Sequence, residues 1–240
     1  MMRISKFFKR FFLKSEYNDS SININDHQFI YRIVNKPDFP WLISFPRTGS
    51  HWLRMMMELY FEKPSLVEIY YYKEAKEFTC YHRHDMDLNI YRKNVIYLYR
   101  DPIPTIFSKM MYEEENIHDS KRIKYWASIY GKHLCKWLTE ERMSEKKTIL
   151  RYENMRRDLL KEFAKLTNHF GMKIDPGKLK DISKMITKNR VKKKTTHDQK
   201  VVNLSKQYSE KREEFAESNT DLILSSLLDI NRKLSKYFNG

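Results

Sequence analysis

The chain is constrained most by the run Trp41-Leu42-Ile43-Ser44-Phe45-Pro46-Arg47-Thr48-Gly49-Ser50-His51-Trp52-Leu53-Arg54. Its apolar and aromatic start reads as a buried strand, which breaks at Pro46 into a short loop and then turns into a segment of helical character. The loop holds a cation, two hydroxyls and a glycine. Free backbone N–H groups, the positive end of a helix dipole and Arg47 then converge on one spot, which makes a phosphate cradle. The chain has only five glycines, so Gly49 in this loop is not background. The spacing G-x-x-x-x-G-K-[ST] of the ATP/GTP loop is absent: there is one glycine and no Gly-Lys pair.

A second segment has the same logic. Asn94-Val95-Ile96-Tyr97-Leu98-Tyr99 is a β-branched and aromatic strand closed by Arg100-Asp101-Pro102, with Ser108 on the helix expected next. Arg100 offers a fork of donors matched to a phosphate, and Ser108 offers a hydroxyl. A third strand, Thr148-Ile149-Leu150-Arg151, ends at Tyr152-Glu153-Asn154 before a helix with apolar Leu159, Leu160, Phe163, Leu166 and Phe170. Gly171 sits where that helix should stop.

These three segments together resemble the sulfotransferases that use 3′-phosphoadenosine 5′-phosphosulfate (PAPS), over roughly residues 40 to 200. The resemblance implies a P-loop-like α/β fold, a three-layer sandwich with a central parallel sheet flanked by helices. It implies that Arg47, Thr48, Gly49, Ser50, His51 and Trp52 hold the 5′-phosphosulfate, and that Arg100 and Ser108 hold the 3′-phosphate. Tyr152 lies near the adenine by the same likeness, although a half-buried core tyrosine would look identical. The function implied is transfer of a sulfuryl group from PAPS to a hydroxyl or amine of a carbohydrate, lipid or small metabolite, without a metal.

For the proton acceptor the family carries a histidine between the two phosphate motifs. Here the segment is Phe78-Thr79-Cys80-Tyr81-His82-Arg83-His84-Asp85. His84, followed by Asp85, is the expected base, with His82 the alternative and Glu68, Glu74 or Glu77 candidates if a carboxylate serves instead. Arg47 stands where lysine is more usual. It keeps the charge that stabilises a leaving phosphate but cannot donate a proton. The glycine-rich closing loop of other members is missing, and the basic stretch 189–198 stands in its region, with Arg190 and Lys194 as candidate 3′-phosphate contacts.

Composition narrows the partners. Net charge is +15, from 46 Lys+Arg against 31 Asp+Glu, which suits steering of a polyanionic nucleotide and an anionic acceptor. No helix-turn-helix, zinc-finger or RNA-recognition signature accompanies the charge, so no nucleic-acid partner is expected. Two cysteines, Cys80 and Cys135, fit a reducing, cytoplasmic compartment, and His82 with His84 lack a third metal ligand nearby. Residues 1–28 read as a basic segment and loop, and residues 29–240 as a single domain. The segment Met1 to Lys14 alternates basic residues with phenylalanines, so a helix resting on an anionic membrane, a docked helix and disorder all stay open. Two other functions share part of the pattern. A small-molecule kinase would need a Walker lysine and a magnesium carboxylate, and a non-catalytic basic adaptor would need no cradle at all.

Overall fold

The computed structural model describes residues 27–238 except Glu74, His197 and Gln199. The expected N-terminal amphipathic helix and most of the loop before residue 28 lie outside these residues. A first helix, α1 (His27–Val34), begins two residues before the expected domain boundary.

Four strands, β1 (Trp41–Ser44), β2 (Tyr81–Arg83), β3 (Asn94–Tyr99) and β4 (Lys146–Arg151), form one sheet in the order β2-β1-β3-β4. Every pairing is parallel, with Trp41 opposite both Tyr81 and Val95, and Tyr97 opposite Ile149. All four carboxyl ends therefore face the same edge of the molecule, where ligands of open parallel sheets bind. Alternate side chains point to opposite faces of the sheet, and both faces are buried. Leu42, Ile96, Leu98 and Leu150 join one apolar cluster; Ile43, Val95, Tyr97 and Tyr99 join the other. The result is the three-layer α/β sandwich expected from the sequence.

The first layer holds α2 (Ser50–Phe61), α6 (Leu159–His169) and α7 (Pro176–Met185), which contribute Leu53, Phe163, Leu166 and Ile182. The second holds α3 (Pro102–Tyr112), α4 (Ser120–Leu134) with a wider π turn at Cys135–Thr139, and α9 (Lys206–Ile230). Short helices α5 (Tyr152–Arg157) and α8 (Lys188–Lys194) complete the edge near the strand ends. The periodicity Ile223, Leu227, Ile230, Leu234, Phe238 predicts one continuous final helix; instead α9 stops at Ile230. Asn231 turns extended (φ −162°) and its side chain caps a 3-10 turn, Arg232–Tyr237, that carries Leu234 inward. An asparagine that bonds its own backbone competes with helix propagation.

The long connection between α2 and β2 is pinned by one buried carboxylate. Glu58 accepts the backbone N–H groups of Tyr70, Tyr71 and Tyr72 at 3.0, 2.6 and 2.7 Å. Burial pushes its pKa up while those three bonds pull against it. The anchored turn places Glu68 and Tyr70 beside the ends of β1 and β2.

Candidate active site

The cradle forms where β1 gives way to α2. Gly49 is the N-cap of α2 with φ 93°, and no side chain caps that helix end. The first-turn N–H groups of α2 thus have no intrahelical acceptor and are available to an anion. Thr48 is fully buried and donates to the Phe45 carbonyl at 2.8 Å, which fixes the loop from beneath. Arg47 itself has φ 73°, a conformation that costs a non-glycine residue about 1–3 kcal/mol. That backbone turn sends its side chain across to α3, where Nε donates to Ser108 Oγ at 3.1 Å. Nη2 donates to the carbonyls of Lys200 and Val201 at 3.0 and 2.8 Å, and the guanidinium lies over the Tyr112 ring at 4.9 Å.

The second cation is tied to the first. Arg100 follows β3, and its Nη1 donates to the Arg47 carbonyl at 3.3 Å. The Tyr130 hydroxyl bridges the Arg100 backbone, accepting from its N–H at 3.1 Å and donating to its carbonyl at 2.6 Å. Arg100 Nε is buried without a hydrogen-bond partner, the Glu153 carboxylate lying 3.9 Å away. Tyr152 sits beneath both motifs, with Arg100 over its ring at 4.8 Å and Trp52 edge-on at 5.7 Å. A Cβ on Gly49 would come within 2.7 Å of two Tyr152 ring carbons, so the loop packs directly on that ring. Sequence reasoning missed further positive charge here. Burial, then Arg156, Arg212 and Arg100, push the Lys188 pKa down, which places four cations in one neighbourhood. Each lies on a different element, so no local motif announces them.

The two histidines have different chemistry. His82 Nδ1 is 3.1 Å from Arg54 Nη1, and its Nε2 is 2.9 Å from Ser44 Oγ. Arginine can only donate, so His82 Nδ1 accepts and Nε2 carries the proton. Burial above all, then the Arg54 charge, drive its pKa well below 6.5. Both nitrogens are engaged, and no lone pair remains for an acceptor. His84 Nδ1 is 2.7 Å from the Ser44 carbonyl, which can only accept, so Nδ1 holds the proton and Nε2 keeps its lone pair. Burial lowers the His84 pKa; the Ser44 bond opposes this, and Arg54 adds to the lowering. The imidazole is therefore neutral near pH 7. Asp85 does not orient it: φ 40° turns that carboxylate away into a two-pronged bond with Arg92 at 2.8 and 3.0 Å.

Arg54, on α2, is the hub that sequence reading overlooked. It is almost wholly buried, and besides His82 it donates to Glu68 and the Tyr70 hydroxyl. Burial works against its charge, but Tyr70 and Glu68 outweigh it and raise its pKa. Tyr70 also lies 2.8 Å from His51 Nδ1. An arginine inside an apolar helix run was the available signal, since such a charge must be paired when buried.

Not every expected contact forms. Lys194 Nζ donates to the Tyr70 carbonyl at 2.8 Å and lies over the Tyr71 ring at 4.7 Å, so it braces the α2–β2 connection and is not directed at Arg100. Arg190 is exposed on α8 and its charge acts on Tyr71. Glu77 is on the surface paired with Lys63, and Glu74 lies outside the described residues. Among the described residues no cluster of three His, Cys, Asp or Glu could hold a metal.

In front of His84 opens a cleft of about 810 Å³, lined by His51, Glu68, His84, Tyr112, Glu113, Asp198 and Lys200. A family model described as "Sulfotransferase domain" matches residues 82–221, more than half of the chain. The chain belongs to the sulfotransferase-domain family. The matched span contains His84, Arg100, Ser108 and Tyr152, while the Arg47 cradle lies just upstream of it. Among solved structures, mouse sulfotransferase SULT7A1, crystallised in complex with PAP, is similar at 15% identity and a TM-score of 0.50. The likeness covers 76% of this chain and 74% of that one, and at this identity it shows the sulfotransferase fold. No curated protein sequence matches. Among the described residues, no helix of this sulfotransferase-family chain is long and apolar enough to cross a membrane.

Proposed function

We propose that this chain transfers the sulfuryl group of PAPS to an acceptor hydroxyl. One observation carries the reading: the ends of β1, β3 and β4 bring Arg47, Ser108, Arg100 and Tyr152 into a single connected constellation. The residues suit a nucleotide with phosphates at two positions. The orphaned Arg100 Nε gains an acceptor from a 3′-phosphate, and the uncapped start of α2 gains one from the 5′-phosphosulfate. The MgATP alternative is less well served, because the cradle has no Walker Gly-Lys pair and Arg47 stands in the loop instead.

In the proposed step His84 Nε2 accepts the proton of the acceptor hydroxyl as its oxygen attacks sulfur. The S–O bond to the 5′-phosphate breaks, and its electron pair stays on that phosphate. We assign the stabilisation of this growing negative charge to the uncapped first-turn N–H groups of α2, with the Arg47 charge adding to it from the loop, its Nε and Nη2 being held by Ser108 and the Lys200 and Val201 carbonyls. His82 serves by holding Ser44, whose carbonyl in turn fixes the His84 tautomer. We assign the activity to one domain, taken as residues 29–240, in a cytoplasmic setting that suits the free Cys80 and Cys135.

Thermal unfolding tests the reading. PAP at about 100 times its dissociation constant should stabilise the protein by about 2.7 kcal/mol, and ATP with magnesium should do so far less. An equal or larger shift with ATP and magnesium would reject the assignment.

A further inference from the structure

One buried titratable side chain has no part in the proposed step, yet it ends on the residue that does. His133 lies in the last turn of α4 and is 1% exposed. It continues the face of Ile123, Ala127 and Tyr130 that packs on the sheet. A buried imidazole is costly unless both nitrogens are bonded, and here both are. Nε2 lies 2.8 Å from the His84 carbonyl, and Nδ1 lies 2.9 Å from the Tyr97 hydroxyl. A carbonyl only accepts, so Nε2 carries the proton and Nδ1 accepts from Tyr97. The end of a helix favours a protonated imidazole, but burial holds the His133 pKa down at about 3. Near neutral pH the ring therefore keeps that single donor, aimed at His84.

The place that His133 reaches lies beyond the sheet's own register. β2 is an edge strand, three residues long, and its pairing with β1 ends at Ile43 opposite Arg83. His84 is thus the first residue past the paired strand, and Asp85 then turns left-handed at φ 40°. The His84 imidazole has its own anchor, the Ser44 carbonyl. Its backbone carbonyl is held by His133. Lys136, one helical turn further along, is 2% exposed and donates to the Ile90 carbonyl. One end of one helix therefore grips the backbone that carries His84, at His84 itself and again at Ile90.

We propose that His133 is a positioning residue of sulfuryl transfer: its Nε2–H fixes the His84 backbone and so keeps the His84 ring on the Ser44 carbonyl, with His84 Nε2 left to meet the acceptor. The proposal rests on the sulfotransferase reading above, in which His84 takes the acceptor proton. Displacing a catalytic group by about 1 Å costs on the order of 10²-fold in rate. Nucleotide binding does not pass through this contact, because Arg47 and the start of α2 stand after β1 and Arg100 after β3.

The test compares His133→Asn with His133→Gln in the full chain. Asparagine is too short to reach the His84 carbonyl, whereas glutamine brings an amide N–H close to the Nε2 position. ¹⁵N-histidine NMR reads the His84 tautomer, and release of ³⁵S-sulfate from labelled PAPS, with water as acceptor, reads turnover. The native protein and His133→Gln should show one His84 tautomer, with the proton on Nδ1. His133→Asn should show a mixture and lose kcat by about 10–100-fold, with the KM for PAPS and the PAP-induced thermal shift unchanged. Leu134→Ala opens a cavity in the same helix turn, so it should lower Tm but keep kcat, which separates placement from stability. A single Nδ1–H tautomer in His133→Asn, turnover in it within about threefold of native, a glutamine variant no better than asparagine, or an equal kcat loss in Leu134→Ala would each overturn the proposal. Where water is no acceptor, the tautomer comparison decides alone, and His133→Leu replaces an asparagine variant that does not fold. If PAP still stabilises the protein when the proposal is overturned, the sulfotransferase reading stands without it. If PAP does not stabilise the native protein, both fall.

Discussion

Replacing Gly49 by alanine isolates the contact that joins the cradle to the Arg100 side of the site. Two costs follow from the geometry. At φ 93° an L-residue is strained by about 1–2 kcal/mol. The new methyl would also lie 2.7 Å from Cδ2 and Cε2 of Tyr152, well inside van der Waals contact. The ring has little freedom to retreat, with Arg100 over its face and Trp52 against its edge. Overpacking of this kind adds about 1–3 kcal/mol. The sum, about 2–5 kcal/mol, corresponds to a Tm lowered by roughly 4–20 °C at about 2–4 °C per kcal/mol for a chain of this size. Calorimetry on Gly49→Ala, Tyr152→Ala and the double variant separates the two costs. In the Tyr152→Ala background the added methyl should cost only the 1–2 kcal/mol of backbone strain. PAP affinity should fall in Gly49→Ala as the displaced ring moves Arg100. Strictly additive effects, or an unchanged Tm in Gly49→Ala, would refute the packing argument.

Other consequences are directly measurable. His84→Gln should keep PAP affinity but lose sulfuryl transfer by about 10²–10⁴-fold, the usual contribution of a positioned base. In the native enzyme kcat/KM should fall only as pH drops below about 6.5, because burial lowers the His84 pKa; a reversed profile, or full activity in the variant, would remove His84 from the role. Arg47→Ala should depress turnover more than nucleotide affinity, since its partner charge grows in the transition state; equal kcat in the variant would place the leaving-group contact elsewhere. Acid should unfold the protein partly through His133, which burial holds at a pKa of about 3 between Tyr97 and the His84 carbonyl. Its folded value lies below the unfolded 6.5, so the unfolded chain binds the extra proton in that window. The contribution is complete above pH 6.5 and is lost at about 1.4 kcal/mol per unit as pH falls toward 3. Urea titrations of wild type and His133→Gln between pH 7 and 4 should show the slope reduced in the variant, and an unchanged slope counts against it.

Where strand, loop and helix follow each other in the chain, the sequence is readable. The β1 cradle, the Arg100 turn and the Tyr152 strand end are each local patterns, and hydrophobic run length alone locates their strands. What could not be read depends on contacts far apart in sequence. Arg47 meets the Lys200 and Val201 carbonyls across the whole domain, and Arg54 meets His82 through the sheet edge. The different tautomers of His82 and His84 are likewise invisible in sequence, because they turn on which nitrogen Ser44 and Arg54 engage. The break at Asn231 was hidden by apolar spacing that continues through a change of helix type. Lys194 shows the opposite hazard: a basic run in the right region supplied a brace for Tyr70, and charge alone does not say where a flexible side chain goes.

Calorimetric titration with PAP and with 5′-AMP, on the native protein and on Arg100→Ala, tests the central claim most directly. The two ligands differ only by the 3′-phosphate that Arg100 is proposed to hold. The native protein should bind PAP about 10–100-fold more tightly than AMP, the range of a charge-assisted hydrogen bond. Arg100→Ala should erase most of that difference and leave AMP affinity nearly unchanged. Equal binding of PAP and AMP by the native protein would contradict the account.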